Sequence, residues 1–461
     1  NTKYMQELSS EVVRRLRADQ VCVDVVSAVK ELLENALDAG ATTVCCTLWD
    51  QGLRALRFQD NGAGVPAAHL PACGRRHHTS KLRALEDLRS RLRSYGFRGE
   101  ALHCLRLLSS RTRLATRTVS DPPTLIRTLL LSPASSSSSS FDALQERSSS
   151  SSSSSGSLCL GSSARLPAAP GCADASTWPA RSSSDLSIGV SPRFGTELLQ
   201  ELRVHDPEQS SEVPTGTLIE CEGLFECTPV RLQILRTQEG RQHRSLVELL
   251  SAYRLLHFDV QFRLEYHDPV LHPPLFWKAC SSRKQCLQDV FGVELVRELQ
   301  EITWRAPRGA FEVHGFLPAP GEHRKLAVRS ASDRTFLYVN RRPVDFPALT
   351  RLLWRTYRQH IGASRKHYAF VYLELVLPLN KVDVNMSPNK RIVQLEDEDE
   401  FLGFLAERLT TFYPQGAVTR QPDSSQSTLS QKRKLSRGDP SRSRSPTSSS
   451  SPSPSPSPSP S

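Results

Sequence analysis

No stretch of this sequence approaches 18 consecutive apolar residues, and this absence excludes a membrane-spanning helix. Apolar residues make up only 38% of the 461 residues, which is low for a globular chain of this length and indicates that part of the chain does not fold. The 11 cysteines include no CxxC pair and no Cys/His cluster with zinc-ligand spacing, so a zinc module is not expected. Their odd number predicts reduced thiols in a cytosolic or nuclear protein.

Negative charge is in deficit, because 59 lysine and arginine residues face 48 aspartate and glutamate residues and the formal net charge is +11. An excess of positive charge favours a polyanionic partner. It does not distinguish nucleic acid from anionic lipid, or either of these from a charge that serves only solubility.

The pattern of apolar residues predicts an α+β fold that begins with a two-layer α/β sandwich. Residues 1–131 form the compact part of a first domain, 1–229, which is completed by a strand near 217–224. The other predicted helices and strands of this domain are a helix at 23–39, strands at 44–50 and 53–59, a helix at 99–108 and a strand at 125–131.

Two serine-rich regions explain the shortage of apolar residues. Ser135–Ser140 and Ser148–Ser155 are pure serine, and the enrichment continues to about residue 192. Such a segment cannot bury enough apolar area to offset the entropy of ordering it, so we expect a disordered Ser-rich insertion at 133–192. The Ser/Pro repeats of residues 414–461 predict a disordered tail for the same reason.

The region between these serine-rich segments predicts a second, smaller α/β domain at 230–413. Its predicted helices and strands alternate along the chain. The helices lie near 242–257, 283–301, 346–360 and 398–412, and the strands near 258–266, 311–317, 335–339 and 368–377.

Three polar residues share one face of the helix predicted at 23–39. Glu31, Asn35 and Asp38 stand at i, i+4 and i+7, opposite an apolar stripe. On spacing alone, a solvent-exposed face is the commoner interpretation. A carboxylate one turn from a carboxamide can also hold an attacking water beside a hydrated Mg²⁺ on a phosphate, since Mg²⁺ needs few protein ligands.

The turn Asp60–Gly64 follows directly on a predicted strand. It delivers the Asp60 carboxylate to the end of that strand, where its oxygens suit an amino group such as that of adenine. Gly62 and Gly64 allow the backbone to approach a ligand closely. Taken alone, this DxGxG pattern is also typical of an ordinary turn.

Two further motifs suit phosphate binding. Tyr95–Leu102 places two glycines before a helix, whose free N–H groups attract anions, and Thr79–Lys81 adds hydroxyls and a cation. Neither is the GxxxxGK[ST] loop, so a P-loop fold is not indicated. Much later, Val382–Lys390 ends in a lysine that would by itself be an ordinary surface residue.

Together, these motifs resemble those of the MutL family of DNA mismatch-repair ATPases, within the wider group of gyrase B, heat-shock chaperone ATPases and histidine kinases (GHKL-type). The combination of TSK, GFRGEAL and the late DVNxxPxK is specific to that family. The matching motifs are ENALDAG at 34–40, DNGAG at 60–64, HTSKL at 78–82, YGFRGEAL at 95–102 and VDVNMSPNK at 382–390.

The resemblance covers about 1–131 and 193–413. The segments Val25–Leu32, Thr79–Leu82 with a following EDL, and Phe336–Val344 are most similar to the eukaryotic post-meiotic-segregation branch.

Carried over residue by residue, the resemblance implies that Glu31 is the general base for the hydrolytic water. It implies that Asn35 binds Mg²⁺ and that Asp60 accepts a hydrogen bond from the adenine amino group. The other implied ATP-binding residues are Asp38, Gly62, Gly64, the lid residues Thr79, Ser80, Lys81, Gly96, Phe97, Arg98 and Gly99, and Lys390, which would reach the γ-phosphate from the second domain.

The implied function is that of a slow Mg-ATPase subunit in DNA mismatch repair, located in the nucleus, whose nucleotide state controls N-terminal dimerisation and DNA engagement. The implied partners are a MutL-type heterodimer partner, double-stranded mismatched DNA and MutS-type mismatch-recognition proteins, with no membrane. The alternative is an ATP-binding scaffold with little turnover. A histidine kinase or topoisomerase subunit is disfavoured, because the late DVNxxPxK loop is present and a phospho-acceptor helix is not.

DNA contact is inferred from charge and resemblance rather than from a base-reading motif. Arg341 and Arg342 are the candidates within the predicted second domain, and Lys432–Lys434 is a candidate in the tail. Backbone-dominated binding of this kind should weaken steeply with salt. The metal-binding endonuclease motif of some relatives is not found in this sequence, so we do not expect this chain to cut DNA.

Overall fold

A computed structural model of the chain gives the positions of the helices, the strands and most of the predicted site. All described residues lie within one compact unit. The structure describes residues 10–79, 81, 94–96, 99–131, 187–190, 198–203, 214–267, 272–321, 326–361, 367–383 and 391–414.

The helices follow the amphipathic pattern of the sequence. Within the described ranges, none combines the length and apolar character needed to cross a bilayer. Their bounds are Ser10–Val21 (α1), Val25–Asp38 (α2), Ala101–Leu108 (α3), Pro229–Thr237 (α4), Glu239–Leu256 (α5), Arg283–Phe291 (α6), Val293–Arg297 (α7), Pro347–Ile361 (α8) and Glu398–Phe412 (α9).

Nine of the described strands form one sheet in the order β5-β6-β4-β3-β7-β2-β1-β8-β9. Neighbours pair antiparallel except β1 and β8, which run parallel with Thr43 opposite Gln261. The strands are Thr43–Trp49 (β1), Ala55–Asp60 (β2), Arg111–Arg117 (β3), Leu125–Leu131 (β4), Ser187–Val190 (β5), Leu198–Arg203 (β6), Gly216–Glu222 (β7), Gln261–Tyr266 (β8) and Leu275–Trp277 (β9).

One face of this sheet carries the main apolar core. Alternate residues of β1, such as Val44, Cys46 and Leu48, pack in one cluster with the buried stripes of α1, α2, α3 and α5. Along β3, Leu114 belongs to this cluster while its neighbour Ala115 belongs to a small cluster of its own. The predicted two-layer α/β sandwich is confirmed, because the helices cover the face whose side chains alternate inward.

Two parts of this sheet depart from the sequence prediction. Strand β5 lies at the end of the insertion predicted to be disordered and pairs antiparallel with β6. The rest of that insertion, 133–186 and 191–192, lies outside the described residues, as do residues 415–461 of the predicted tail. Residues 261–277 fall within the predicted second domain, but β8 pairs with β1 and β9 pairs with β8, so the first sheet extends well past residue 229.

The second sheet has five described strands in the order β10-β11-β16-β13-β14, and α8 and α9 supply the helical side of its core. Two short ladders, β12-β15 and β17-β18, accompany it. The strands are Leu299–Arg305 (β10), Glu312–Pro318 (β11), Val328–Arg329 (β12), Thr335–Val339 (β13), Arg342–Pro343 (β14), Tyr368–Ala369 (β15), Val371–Val376 (β16), Val382–Asp383 (β17) and Gln394–Leu395 (β18).

The helix predicted at 283–301 is interrupted at Gly292 and ends at Arg297. Helix α6 ends at Phe291 because Gly292 takes the left-handed region at φ +89°, after which α7 adds only five residues. Residues from Leu299 then form strand β10, which pairs with β11 along its whole length. An antiparallel partner outweighed local helix propensity here.

Candidate functional site

Helix α2 presents three of the predicted site residues on one face. Its N-cap Asp24 accepts a hydrogen bond from the amide of Ser27 at 2.7 Å, and the Ser27 hydroxyl accepts from the amide of Asp24 at 3.0 Å. This capping box fixes where the helix begins and therefore which side Glu31, Asn35 and Asp38 occupy. That side is partly covered rather than solvated, since the Glu31 and Asp38 side chains are 15% and 7% exposed.

Asp38 is the point at which three parts of the chain meet. Its Oδ1 accepts a hydrogen bond from the amide of Tyr95 at 2.8 Å, and its Oδ2 accepts one from the amide of Gly96 at 3.0 Å. The same Oδ2 lies 2.6 Å from the Lys81 ammonium nitrogen. Asp38 thus ties α2 to Lys81 and to residues 94–96, which we call the 94–96 segment.

Asn35 shares the Lys81 ammonium with Asp38. The Asn35 Oδ1 accepts a hydrogen bond from Lys81 Nζ at 2.9 Å. A Cβ atom at Gly96 would lie 3.0 Å from Lys81 Nζ and 3.3 Å from Asn35 Oδ1, so a glycine lets the backbone come this close. Carboxamide and carboxylate oxygens therefore face a cation at this position.

Glu31 lies beside a buried polar cluster that the sequence did not predict. Lys30 Nζ is 3.7 Å from Glu31 Oε1 and 2.7 Å from Glu34 Oε1. The Tyr253 hydroxyl donates to the same Glu34 oxygen at 2.5 Å, and burial raises the pKa of Tyr253. Lys30 and Glu34 stand one helical turn apart, a spacing typical of ion pairs, but only the fold reveals Tyr253 of α5 as their neighbour.

Asp60 ends β2 and is 8% exposed. Burial raises the pKa of its carboxyl to about 6, and hydrogen bonds from the amides of Gly62 and Thr217 partly oppose that rise. The Asp60 Oδ1 accepts the Gly62 bond at 2.8 Å. A Cβ at Gly62 would lie 2.8 Å from the Cβ of Ala39, so this turn sits directly against the end of α2.

Gly64 has a backbone that requires glycine. Its φ is +72°, and a Cβ there would lie 2.2 Å from the carbonyl oxygen of Arg117. The next amide, that of Val65, donates to the Thr116 hydroxyl at 2.8 Å. Strand β3 thus holds the turn that follows Asp60.

The remaining predicted lid residues are only partly described. Thr79 accepts a hydrogen bond from the amide of Lys81 at 3.1 Å. Gly99 has φ +64°, and a Cβ there would lie 2.5 Å from the carbonyl oxygen of His78, so these two stretches touch. The predictions for Ser80, Phe97, Arg98 and Lys390 lie outside the described residues.

The chain on the C-terminal side of Lys390 is described and contacts Asp345. The Arg391 guanidinium donates to Asp345 Oδ1 at 2.6 Å, and the Asp345 amide donates to the Arg391 carbonyl at 2.8 Å. Asp345 follows Arg342 by three residues, so this attachment lies close in the chain to the β13–β14 turn.

The two arginines predicted to contact DNA differ in their surroundings. Arg341 is exposed, at φ +66° in the turn between β13 and β14. Arg342 is only 6% exposed, and its guanidinium donates to the carbonyl oxygens of Ser94 and Tyr95. DNA contact by Arg342 stays a prediction, and this arrangement does not favour it, because protein carbonyls already accept the hydrogen bonds that a phosphate would accept.

Tyr95 is a site residue that the sequence analysis missed. Its hydroxyl donates to the carbonyl of Arg341 at 2.8 Å and lies 2.7 Å from His257 Nε2. Burial lowers the pKa of His257 to about 4, so this imidazole is neutral near pH 7. The available signal was the position of Tyr95 directly before Gly96 in a phosphate-binding motif, but the partners of its hydroxyl lie more than 150 residues away.

Two family models match the chain. The model described as "Histidine kinase-, DNA gyrase B-, and HSP90-like ATPase" matches residues 23–129, which include Glu31, Asn35, Asp38 and Asp60. The model described as "DNA mismatch repair protein, C-terminal domain" matches residues 287–414, which include the second sheet.

Curated relatives match nearly the whole chain at modest identity. The chain is 28% identical to "DNA mismatch repair protein PMS1" of Arabidopsis thaliana, over 90% of this chain and 36% of that protein. It is 25% identical to "PMS1 protein homolog 1" of Homo sapiens, over 89% and 36%. It is 26% identical to "DNA mismatch repair protein MutL" of Heliobacterium modesticaldum, over 87% and 48%. The chain thus spans less than half the length of these relatives.

A solved structure with the same fold is similar over most of the chain. The "Crystal Structure of N terminal domain of a DNA repair protein" superposes with a TM-score of 0.59, covering 87% of this chain and 97% of that one. At 20% sequence identity, this likeness describes the architecture alone.

Proposed function

Because the chain belongs to the MutL family of DNA mismatch-repair proteins, we propose that it binds Mg-ATP and hydrolyses it slowly. In this proposal, nucleotide state controls N-terminal dimerisation and DNA engagement. The observation that carries it is the meeting of Asn35, Asp38, Lys81 and Gly96 at one point, one helical turn from Glu31 on α2.

The residues at this point fit a magnesium ion. Asn35 Oδ1 already accepts a hydrogen bond from the Lys81 ammonium at 2.9 Å, and oxygen ligands are those that Mg²⁺ prefers. We propose that Asn35 holds Mg²⁺, which when bound would offset the negative charge of the phosphates. The Lys81 ammonium faces the same space, so it would bind phosphate oxygens beside the metal.

Glu31 is placed to act on water at the edge of this space. We propose that its carboxylate accepts the proton of the attacking water as general base. The Lys30 ammonium, 3.7 Å away and held by Glu34, would keep that carboxylate oriented. Thr79, Ser80, Phe97, Arg98 and Gly99 would close over the nucleotide, and Lys390 would reach its γ-phosphate.

Asp60 is proposed to recognise adenine. A buried carboxylate is an acceptor for the adenine amino group, and the glycines at positions 62 and 64 keep side chains away from the base. The amides of Gly62 and Thr217 hold the carboxylate in place.

This role gives ATP affinity a pH dependence. Because burial raises the Asp60 pKa to about 6, the carboxylate is ionised above that pH and gains a proton below it. We expect affinity for a fluorescent ATP analogue to be constant from pH 8 to 7 and to fall as the pH decreases through about 6. Asp60→Asn should bind more weakly at pH 7.5 and show no such fall. A wild-type profile that stays flat from pH 8 to 5 would contradict the assignment.

The scaffold alternative is tested on the same preparation of the full chain. ATP turnover is measured with radiolabelled nucleotide at several Mg²⁺ concentrations, and light scattering follows self-association with and without a non-hydrolysable analogue. Mg²⁺-dependent turnover together with nucleotide-dependent association supports the ATPase proposal. Association without turnover would favour the scaffold, and neither response would overturn both.

DNA engagement needs a surface other than Arg342. Helix α8 contains no acidic residue, and its Arg351 and Arg355 are exposed one turn apart. We propose that this face and Arg341 contact DNA phosphates.

The α8 surface is tested by salt dependence. The logarithm of the affinity for duplex DNA falls linearly with the logarithm of the salt concentration, and each phosphate contact makes the slope of this fall steeper by about 0.9. We therefore expect Arg351→Glu with Arg355→Glu to weaken duplex binding and to reduce that slope by roughly two. Arg297→Glu, on the 69% exposed side chain of Arg297 in α7, is the matched control. An unchanged slope in the double variant would exclude this surface.

The wider assignments follow the family. We propose a MutL-type heterodimer partner, action on mismatched duplex DNA with MutS-type proteins, and a location in the nucleus. We also propose that residues 1–229 with β8 and β9 form the ATPase domain, that the second domain ends near residue 413, and that 414–461 form a tail.

A further inference from the structure

The turn between β13 and β14 contacts the 94–96 segment directly. The Arg342 Nη1 donates to the Tyr95 carbonyl at 3.2 Å, and its Nη2 donates to the Ser94 carbonyl. The guanidinium carbon also lies 5.7 Å from the centre of the Tyr95 ring. A side chain of the second sheet thus contacts both the backbone and the ring of a tyrosine that belongs to the first domain.

Burial makes this contact specific. A guanidinium that is 6% exposed has lost most of its hydration, and this loss is costly unless hydrogen bonds replace the water. Here two carbonyls and an aromatic face provide that replacement. If the 94–96 segment moved away, Arg342 would be left buried without these partners, so the turn and the segment should move together.

The same segment is anchored on its other side by the proposed phosphate site. The amides of Tyr95 and Gly96 donate to the Asp38 carboxylate, which also binds Lys81. The Tyr95 hydroxyl donates in the opposite direction, to the Arg341 carbonyl. Tyr95 therefore connects Asp38 to the second sheet through its own backbone and side chain.

We propose that Tyr95 and Arg342 are positioning residues that couple nucleotide binding at Asp38 and Lys81 to the β13–β14 turn of the second sheet. The proposal rests on the nucleotide site proposed above. A phosphate that attracts the Lys81 ammonium would weaken the ion pair between Lys81 and Asp38. The strength of the hydrogen bonds from the two amides of the 94–96 segment to Asp38 would change in turn. A ligand shifts an arrangement only by its differential contacts, and these two amides are the contacts that would differ.

Hydrogen–deuterium exchange of the full chain, with and without Mg²⁺ and a non-hydrolysable ATP analogue, tests the coupling. In the wild type, we expect the analogue to slow exchange both in α2 and in residues 335–346. In Arg342→Met, we expect the analogue still to slow exchange in α2, with its effect on 335–346 reduced at least threefold. Tyr95→Phe keeps the ring and removes only the hydroxyl that donates to the Arg341 carbonyl. It should show the same reduced effect at 335–346, and it provides the test if Arg342→Met fails to fold.

The control is Arg305→Met, which removes the same charge from an exposed side chain of β10 in the second sheet. It should respond to the analogue as the wild type does. Wild-type nucleotide effects at 335–346 that persist in both Arg342→Met and Tyr95→Phe would overturn the coupling while leaving the nucleotide site intact. A wild type whose exchange does not respond anywhere to the analogue would overturn the nucleotide site and the coupling with it.

Discussion

Replacing Glu31 with alanine should leave ATP bound and abolish most of its hydrolysis. A positioned general base typically contributes about 10²–10⁴-fold to a rate, so turnover should fall by that order. Binding should persist, because the oxygens that face Lys81 belong to Asn35 and Asp38 rather than to Glu31. Single-turnover hydrolysis of radiolabelled ATP and titration with a fluorescent analogue measure the two effects separately.

The comparison needs variants that separate chemistry from packing. Glu31→Gln keeps the shape of the side chain and should be as slow as Glu31→Ala. Glu248→Ala removes the same charge from an exposed position of α5 and should hydrolyse ATP at the wild-type rate. Turnover in Glu31→Ala equal to that of the wild type would refute the role assigned to this carboxylate.

Replacing Asn35 with alanine should weaken both nucleotide binding and hydrolysis. The substitution removes the oxygen proposed to hold Mg²⁺ and the acceptor that lies 2.9 Å from Lys81 Nζ. Hydrogen bonds to charged groups are worth about 1.5–3 kcal/mol, which corresponds to a roughly 10- to 100-fold loss of affinity. Titrating ATP binding at several Mg²⁺ concentrations should reveal that the Mg²⁺-dependent part of the affinity is lost.

Asn35→Asp provides the matched comparison, since it retains an oxygen at the same position. It should keep more of the Mg²⁺ dependence than Asn35→Ala does. If Asn35→Ala bound ATP with wild-type affinity and wild-type Mg²⁺ dependence, the metal assignment would have to be abandoned.

The sequence predicted the helix and the turn on which the candidate site is built. The apolar stripe of α2 is a local signal, so both the helix and the shared face of Glu31 and Asn35 could be predicted from it. The close approach of the backbone in the turn after Asp60 was likewise predicted, from the presence of glycines at 62 and 64 alone. The positive φ of Gly64 gives the physical reason why one of these positions needs a glycine.

Features that depend on distant partners could not be predicted in this way. The burial of Arg342 follows from carbonyl groups almost 250 residues earlier in the chain, and the position of Tyr253 beside Glu34 follows from the packing of α5 on α2. The strand that replaces the predicted helix from Leu299 onward has the same origin, because β10 forms only where β11 is available to pair. The periodicity of apolar residues along the chain does not indicate such contacts.

Two distant parts of the chain are proposed to act on one phosphate. Arg391, the neighbour of Lys390, is attached through Asp345 to the region of the β13–β14 turn, and that turn touches the segment bound to Asp38. A crystal structure of the full chain with Mg²⁺ and a non-hydrolysable ATP analogue tests the claim most directly. We expect the Glu31 carboxylate and the Lys390 ammonium to flank the terminal phosphate, with the ammonium within hydrogen-bonding distance of its oxygens. A bound analogue whose terminal phosphate meets neither group, with Lys390 directed away from it, would contradict the account.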